Sequence, residues 1–235
     1  MRQEALRLAA LGMSYSRVGK LLGLSKGSVC EWMRSEGGMS KEVRGQVLEL
    51  DGLWAHTRSG RVELKVLRDE QGAVELSFEG WEQVISRLYE RGLQMPQHVV
   101  SDGDVVIAQA LGLVYGPAAP HQLCQFHLLR EYRRHFGSCG WAQAKALLGS
   151  SSQTEAAALA EQVLELTKGR ADYWCRRALH EGLAFLATGH YRLKTTSLLE
   201  RLQRELRRRE RLGSRWSFHN LISLLSISLS LSSPT

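Results

Sequence analysis

Apolar positions recur at helical spacing from Arg2 to Glu36 and switch to strand-like alternation at Val47. Glu4 to Leu11 predicts a helix that ends at Gly12. Tyr15 to Leu22 predicts a second, with Ser14 as N-cap and Val18, Leu21 and Leu22 on its apolar face. Gly23-Leu24-Ser25 then makes a tight turn, and Ser25 caps a third helix that reaches about Arg34. In that helix Val29, Trp32 and Met33 fall on the packing side, while Lys26, Gly27, Ser28 and Glu31 face out. Helix, glycine turn and short helix is the grammar of a helix-turn-helix that reads DNA. A three-helix interaction bundle fits the same pattern. Gly37-Gly38 closes the segment as a linker.

Val47 to Ala55 predicts the first strand and Arg61 to Arg68 the second, with a hairpin turn at Arg58-Ser59-Gly60. Gln71-Gly72 turns into a third strand, Ala73 to Phe78. Glu82 to Arg91 is an amphipathic helix closed by Gly92. A short buried strand, His98 to Ser101, then ends at Asp102, and a helix follows from Val105 to Leu113. His121 to Cys124 is a fifth strand or the entry to a helix carrying Leu128, Leu129 and Tyr132. Trp141 to Leu148, Glu155 to Lys168 and Ala171 to Thr188 read as helices, and Glu200 opens a last one running to about Arg211. A meander of three strands followed by helix-strand-helix-strand predicts an α/β fold with a mixed sheet, matching the ribonuclease H-like core. The expected organisation is a small all-α helix-turn-helix domain over 1–37, then a ribonuclease H-like catalytic domain over 45–220. A helical insertion lies at about 131–190, and 221–235 forms a tail.

Composition narrows the class. The chain of 235 residues carries a net charge of +7, which favours polyanionic partners, nucleic acid first. Cys30, Cys124, Cys139 and Cys175 form no CxxC pair and read as reduced thiols of a cytoplasmic protein. No apolar run is long enough to span a membrane; Leu221 to Leu231 is short and broken by serines. That tail reads either as a genuine amphipathic end or as the product of a frameshift or truncation.

Three acids carry the candidate chemistry. Asp51 and Asp102 follow apolar runs, and in an open α/β sheet both fall on the edge where ligands bind. Glu200 sits on the last helix, with Leu199, Leu202 and Leu206 on one face and Arg204, Arg207, Arg208 and Arg211 on another. Carboxylates suit a hard divalent cation that keeps positions open for phosphate and water, and the arginines suit phosphate. A solvated helix with ordinary Glu–Arg pairs explains the same charges. Asp104, two residues past Asp102, is a rival ligand; Asp69 falls in a turn and reads as solvated. His56 reads as a surface histidine, and Trp54 as core or as a DNA contact.

From Val47 to Arg211 the chain resembles the DDE transposases of the Mutator-like type found in bacterial insertion sequences. Asp51-Gly52 looks like the family's first acid, and Val99-Val100-Ser101-Asp102-Gly103 is similar to the strand bearing the second. Cys124-Gln125-Phe126-His127 resembles its C-x-x-H motif, here read as structural or close to DNA, two residues being too few for zinc. Thr196 to Arg209 resembles the segment that places the third acid at Glu200, with Ser197 where the family has asparagine. The resemblance implies that Asp51, Asp102 and Glu200 hold two Mg²⁺ (or Mn²⁺) ions about 3.5–4 Å apart. It further implies cleavage at transposon ends and transfer of the freed 3′-OH to target DNA by a nucleoid-associated, homo-oligomeric enzyme. Lys26 and Ser28 would read the terminal inverted repeats, while Arg204, Arg207 and Arg208 hold phosphates. Two other readings fit these residues: a nuclease without strand transfer, and a helix-turn-helix regulator or inactive remnant.

Overall fold

Three helices open the chain: α1 (Arg2–Ala10), α2 (Tyr15–Leu22) and α3 (Lys26–Glu36). The computed structural model describes residues 1–11, 13–36, 42–57, 60–190, 195–196, 199–200, 203–204, 207 and 223. Ser14 Oγ accepts the Arg17 amide and Ser25 Oγ accepts the Ser28 amide, so both expected caps form. Gly23 adopts φ 68°, the left-handed conformation the turn requires. At Gly19 a Cβ would lie 2.5 Å from the Leu24 carbonyl oxygen, so α2 passes this turn only as glycine. Ala5, Ala9, Val18, Val29 and Met33 form the core of the three helices, flanked by Tyr15, Leu22 and Trp32. Leu21, expected on the apolar face, is instead 63% exposed. Tyr15, Val18 and Leu22 define the stripe, and Leu21 falls roughly 100° round the helix from its centre.

The strands are β1 (Val47–Thr57), β2 (Gly60–Asp69), β3 (Val74–Ser77), β4 (His98–Ser101) and β5 (His121–Leu123). They form a mixed sheet in the order β3-β2-β1-β4-β5. β2 and β3 are antiparallel, while β1 with β4 and β4 with β5 are parallel. The parallel pairs need crossover helices. These are α4 (Trp81–Glu90) before β4 and α5 (Val105–Tyr115) before β5. The turn residues Arg58 and Ser59 lie outside the described residues.

The chain divides into two units, one of 1–43, 52–79 and 199–235 and one of 44–51 and 80–198. In the first, Leu53, Ala55, Leu64, Val66 and Leu76 build a core with Leu199. In the second follow α6 (Gln125–Phe136), α7 (Trp141–Gly149), α8 (Gln153–Thr167), α9 (Asp172–His180) and α10 (Phe185–Thr188). Leu128, Tyr132, Leu147, Val163, Trp174 and Phe185 interlock there, and Trp174 Nε1 donates to the Leu128 carbonyl at 2.8 Å.

His121 to Cys124 proves to be both of the expected alternatives, a three-residue strand running straight into a helix. The single helix expected from Ala171 to Thr188 is broken between α9 and α10. The break is held by distant partners: the Leu123 amide donates to Glu181 O, Gln125 Nε2 to Gly182 O, and the Phe185 amide to Gln122 Oε1. A Cβ on Gly182 would lie 2.8 Å from the Ala178 carbonyl oxygen, backbone that cannot give way as a side chain can, so the turn favours glycine here. No helix among the described residues is long and apolar enough to cross a membrane. Of the tail, only Ser223 is described.

Candidate active site

The register of β1 on β4 brings the first two acids together. Val47 pairs with His98 and each following pair stays in step to Leu50 with Ser101. Asp51 and Asp102 are therefore the next residues on neighbouring parallel strands, which run about 4.8 Å apart. Asp51 is buried inside β1, which continues to Thr57, whereas Asp102 is half-buried just past the end of β4. Strand alternation puts Asp51 on the face of β1 that carries Leu53 and Ala55.

The chain around Asp102 is built as a tight turn. Asp102 Oδ1 accepts the Asp104 amide at 3.0 Å, and Gly103 takes φ +87°. The rival Asp104 caps α5 instead, its Oδ1 accepting the Val106 amide at 2.9 Å. The carboxylate of Asp69 is likewise engaged. Asp69 sits in the expected turn but is 2% exposed rather than solvated, because Oδ1 accepts the amides of Gln71 and Ala73. His56 is exposed, as expected. Trp54 is exposed too, with the Arg61 guanidinium 4.3 Å from its ring centroid.

Cys124 lies where β5 becomes α6, its amide donating to Ser101 O at 2.7 Å. Its sulfur accepts both the amide and the hydroxyl of Thr196, each at 3.3 Å. Burial works to raise the Cys124 thiol pKa. Hydrogen bonds from the His127 side chain, from Thr196 and from the His127 backbone outweigh it and hold the thiol below its ordinary value. Cys124 and His127 thus act on each other, and the motif ties the β5–α6 junction to the segment preceding Glu200. Sequence reasoning missed Thr196, since a threonine 72 residues away carries no signal of its own.

Glu200 is helical and half-buried, and its neighbour Leu199 is fully buried in the Leu53–Ala55 cluster. Arg204 and Arg207 are exposed on the same stretch; Ser197, Leu202, Leu206, Arg208 and Arg211 lie outside the described residues. Lys26 is exposed at the start of α3, while the Ser28 hydroxyl is engaged with Ser25 Oγ at 2.9 Å.

Residues 73–225 match the family model described as Transposase, Mutator family. The chain belongs to that family. Its resemblance to Mutator-like transposases is thereby borne out over the stretch that contains Asp102, Cys124, His127 and Glu200. The chain is similar to the transposase for insertion sequence element IS406 of Burkholderia multivorans, at 32% identity over 145 residues, 57% of this chain and 37% of that protein. It is also similar to the transposase for insertion sequence element ISRM5 of Rhizobium meliloti, at 31% over 145 residues, 57% of this chain and 36% of that protein. The chain spans a little over a third of the length of these two relatives.

Proposed function

We propose that the chain performs DNA strand cleavage and 3′-OH strand transfer at the ends of a transposable element. In this reading the sheet is a ribonuclease H-like core over 45–220, with the helical insertion at about 131–190, and α1 to α3 are a helix-turn-helix that reads terminal inverted repeats. The observation that carries it is the β1–β4 register, which sets Asp51 beside Asp102. Glu200 is the third carboxylate. Its support is its place in the stretch 73–225 that matches the Mutator-family model, on a segment that resembles the family's third-acid helix.

Neighbouring carboxylates make an all-oxygen donor set, which fits Mg²⁺ or Mn²⁺. A divalent cation bound there supplies charge neutralisation and Lewis-acid activation at the scissile phosphodiester. The protein's own groups do the positioning. Burial inside β1 fixes Asp51 and keeps bulk water from it, and the Asp104 amide fixes the rotamer of Asp102. The oxygen of water, or later of a DNA 3′-OH, gives up its proton to solvent as it attacks phosphorus. The bond to the leaving 3′-oxygen breaks, and that oxygen takes up a proton. Arg204, Arg207 and Arg208 hold flanking phosphates, Lys26 contacts the repeat, and the active species is a homo-oligomer on DNA.

The test uses the full chain, Mg²⁺ and a labelled duplex carrying the element's terminal repeats. Asp51→Asn and Asp102→Asn are each expected to cut nicking by about a hundredfold or more while DNA affinity stays as in the unaltered chain. Nicking at the unaltered rate in either variant would sink the metal site and leave the helix-turn-helix regulator.

A further inference from the structure

We propose that the outer face of α6 is a track for the phosphate backbone of duplex DNA leading to the two aspartates, an inference that rests on the strand-cleavage reading. Phe126, Arg130, Arg133 and Arg134 are all exposed. At 100° per residue they share an arc of roughly 100°, directly opposite the buried stripe of Gln125, Leu128 and Tyr132. The run from Phe126 to Arg134 is about 12 Å long, three to four base-pair steps of a duplex.

Charge pairing separates this face from its neighbour. On α9, Arg176 is paired with Asp172, and Arg177 with Glu131 and Glu181. Glu131 is the sole acid of α6, and it turns aside to Arg177. Arg130, Arg133 and Arg134 have no carboxylate partner among the described residues. Favourable charge at the C-terminal end of a helix accounts for basic residues in its last turn. It does not account for Arg130 in the middle or for a 46% exposed Phe126 in the first turn. Arg133 is held over Trp141, its guanidinium 5.4 Å from the ring centroid, which pre-orders it for a phosphate.

Position links the face to the chemistry. Leu123 pairs with Ser101, so Cys124 and Asp102 are the next residues on adjacent strands, and α6 starts one residue later. A duplex lying on the stripe therefore has a backbone within about 15 Å of Asp102.

Binding of a random-sequence duplex to the full chain, followed by anisotropy across a salt series, tests the track. The triple variant Arg130→Gln, Arg133→Gln, Arg134→Gln is expected to lower the slope of log K against log salt by about two to three and weaken binding about tenfold or more at 0.1 M salt. The lysine triple variant keeps the charge and is expected to retain most of the slope. An unchanged slope in the glutamine variant overturns the proposal. So does a changed subunit assembly with the slope intact, which would make this face a protein interface. Asp51→Asn is expected to leave the slope untouched. A lowered slope in the glutamine variant, with Asp51→Asn still nicking, would keep the track and discard the metal site.

Discussion

Gly103 decides how the chain leaves β4 with Asp102 beside its neighbouring strand. Its φ of +87° is accessible to glycine without strain, and a Cβ there would come within 3.2 Å of Leu123 Cδ2. Gly103→Ala is expected to destabilise the protein by about 1–2 kcal/mol, read as a lower urea midpoint. Cys124 makes a second residue-scale prediction. Cys124→Ala strips the acceptor from two buried Thr196 donors, at a cost of about 1–3 kcal/mol for each group left unsatisfied. Cys124→Ser supplies an oxygen acceptor and is expected to recover part of that loss in the same unfolding experiment. At this scale the sequence is informative wherever the partner is local. Ser14, Ser25 and Gly23 are legible because capping and turn chemistry act within a few residues. Asp69 is not: a turn residue looks solvated until its backbone partners are seen.

Elements whose ends are set by their own residues are legible nearly to the residue, as α2 and β4 show. The hydrophobic alternation of β1 runs two residues beyond the expected end, because Thr57 still faces the buried side. The interruption between α9 and α10 is hidden for a different reason. Its determinants, Gln122 and Gln125, stand 63 and 57 residues away from their partners. Nothing near Gly182 announces a break beyond a single glycine. Gln125 reaches both Leu148 O at 2.6 Å and Gly182 O at 3.1 Å. Gln125→Leu keeps the bulk but leaves these carbonyls without that donor. Destabilisation of about 1–3 kcal/mol is expected, with faster amide exchange in the loop before α10 as the local readout.

Across the whole chain, acid sensitivity is the most direct consequence of burial. His121 is held at about pKa 4 against an ordinary 6.5, first by burial and then by the nearby His98. Its neutral ring contacts Ser101 Oγ at 2.8 Å. Because the folded value lies below the unfolded one, the contribution is fully present above about pH 6.5 and is lost as pH falls toward about 4. Melting temperature is expected to drop across that window, and His121→Gln, which cannot charge, to flatten the drop. At this scale the pattern of strands and helices together with Cys124-Gln125-Phe126-His127 and Glu200 is enough to indicate the family, and the matched stretch 73–225 covers most of the same residues. The strand order is inferable only because two parallel pairs require crossovers, and α4 and α5 supply them.

The bonds from Gln122 to Phe185 and from Cys124 to Thr196 also carry a kinetic consequence. Consecutive helices such as α7 and α8 pack over short sequence separations and are expected to form early, whereas these two bonds join groups 63 and 72 residues apart and are expected to wait for the chain to loop back. Bonds made after the rate-limiting step govern how fast a protein comes apart more than how fast it assembles. In stopped-flow experiments Gln122→Ala is expected to speed unfolding while leaving the refolding rate nearly unchanged.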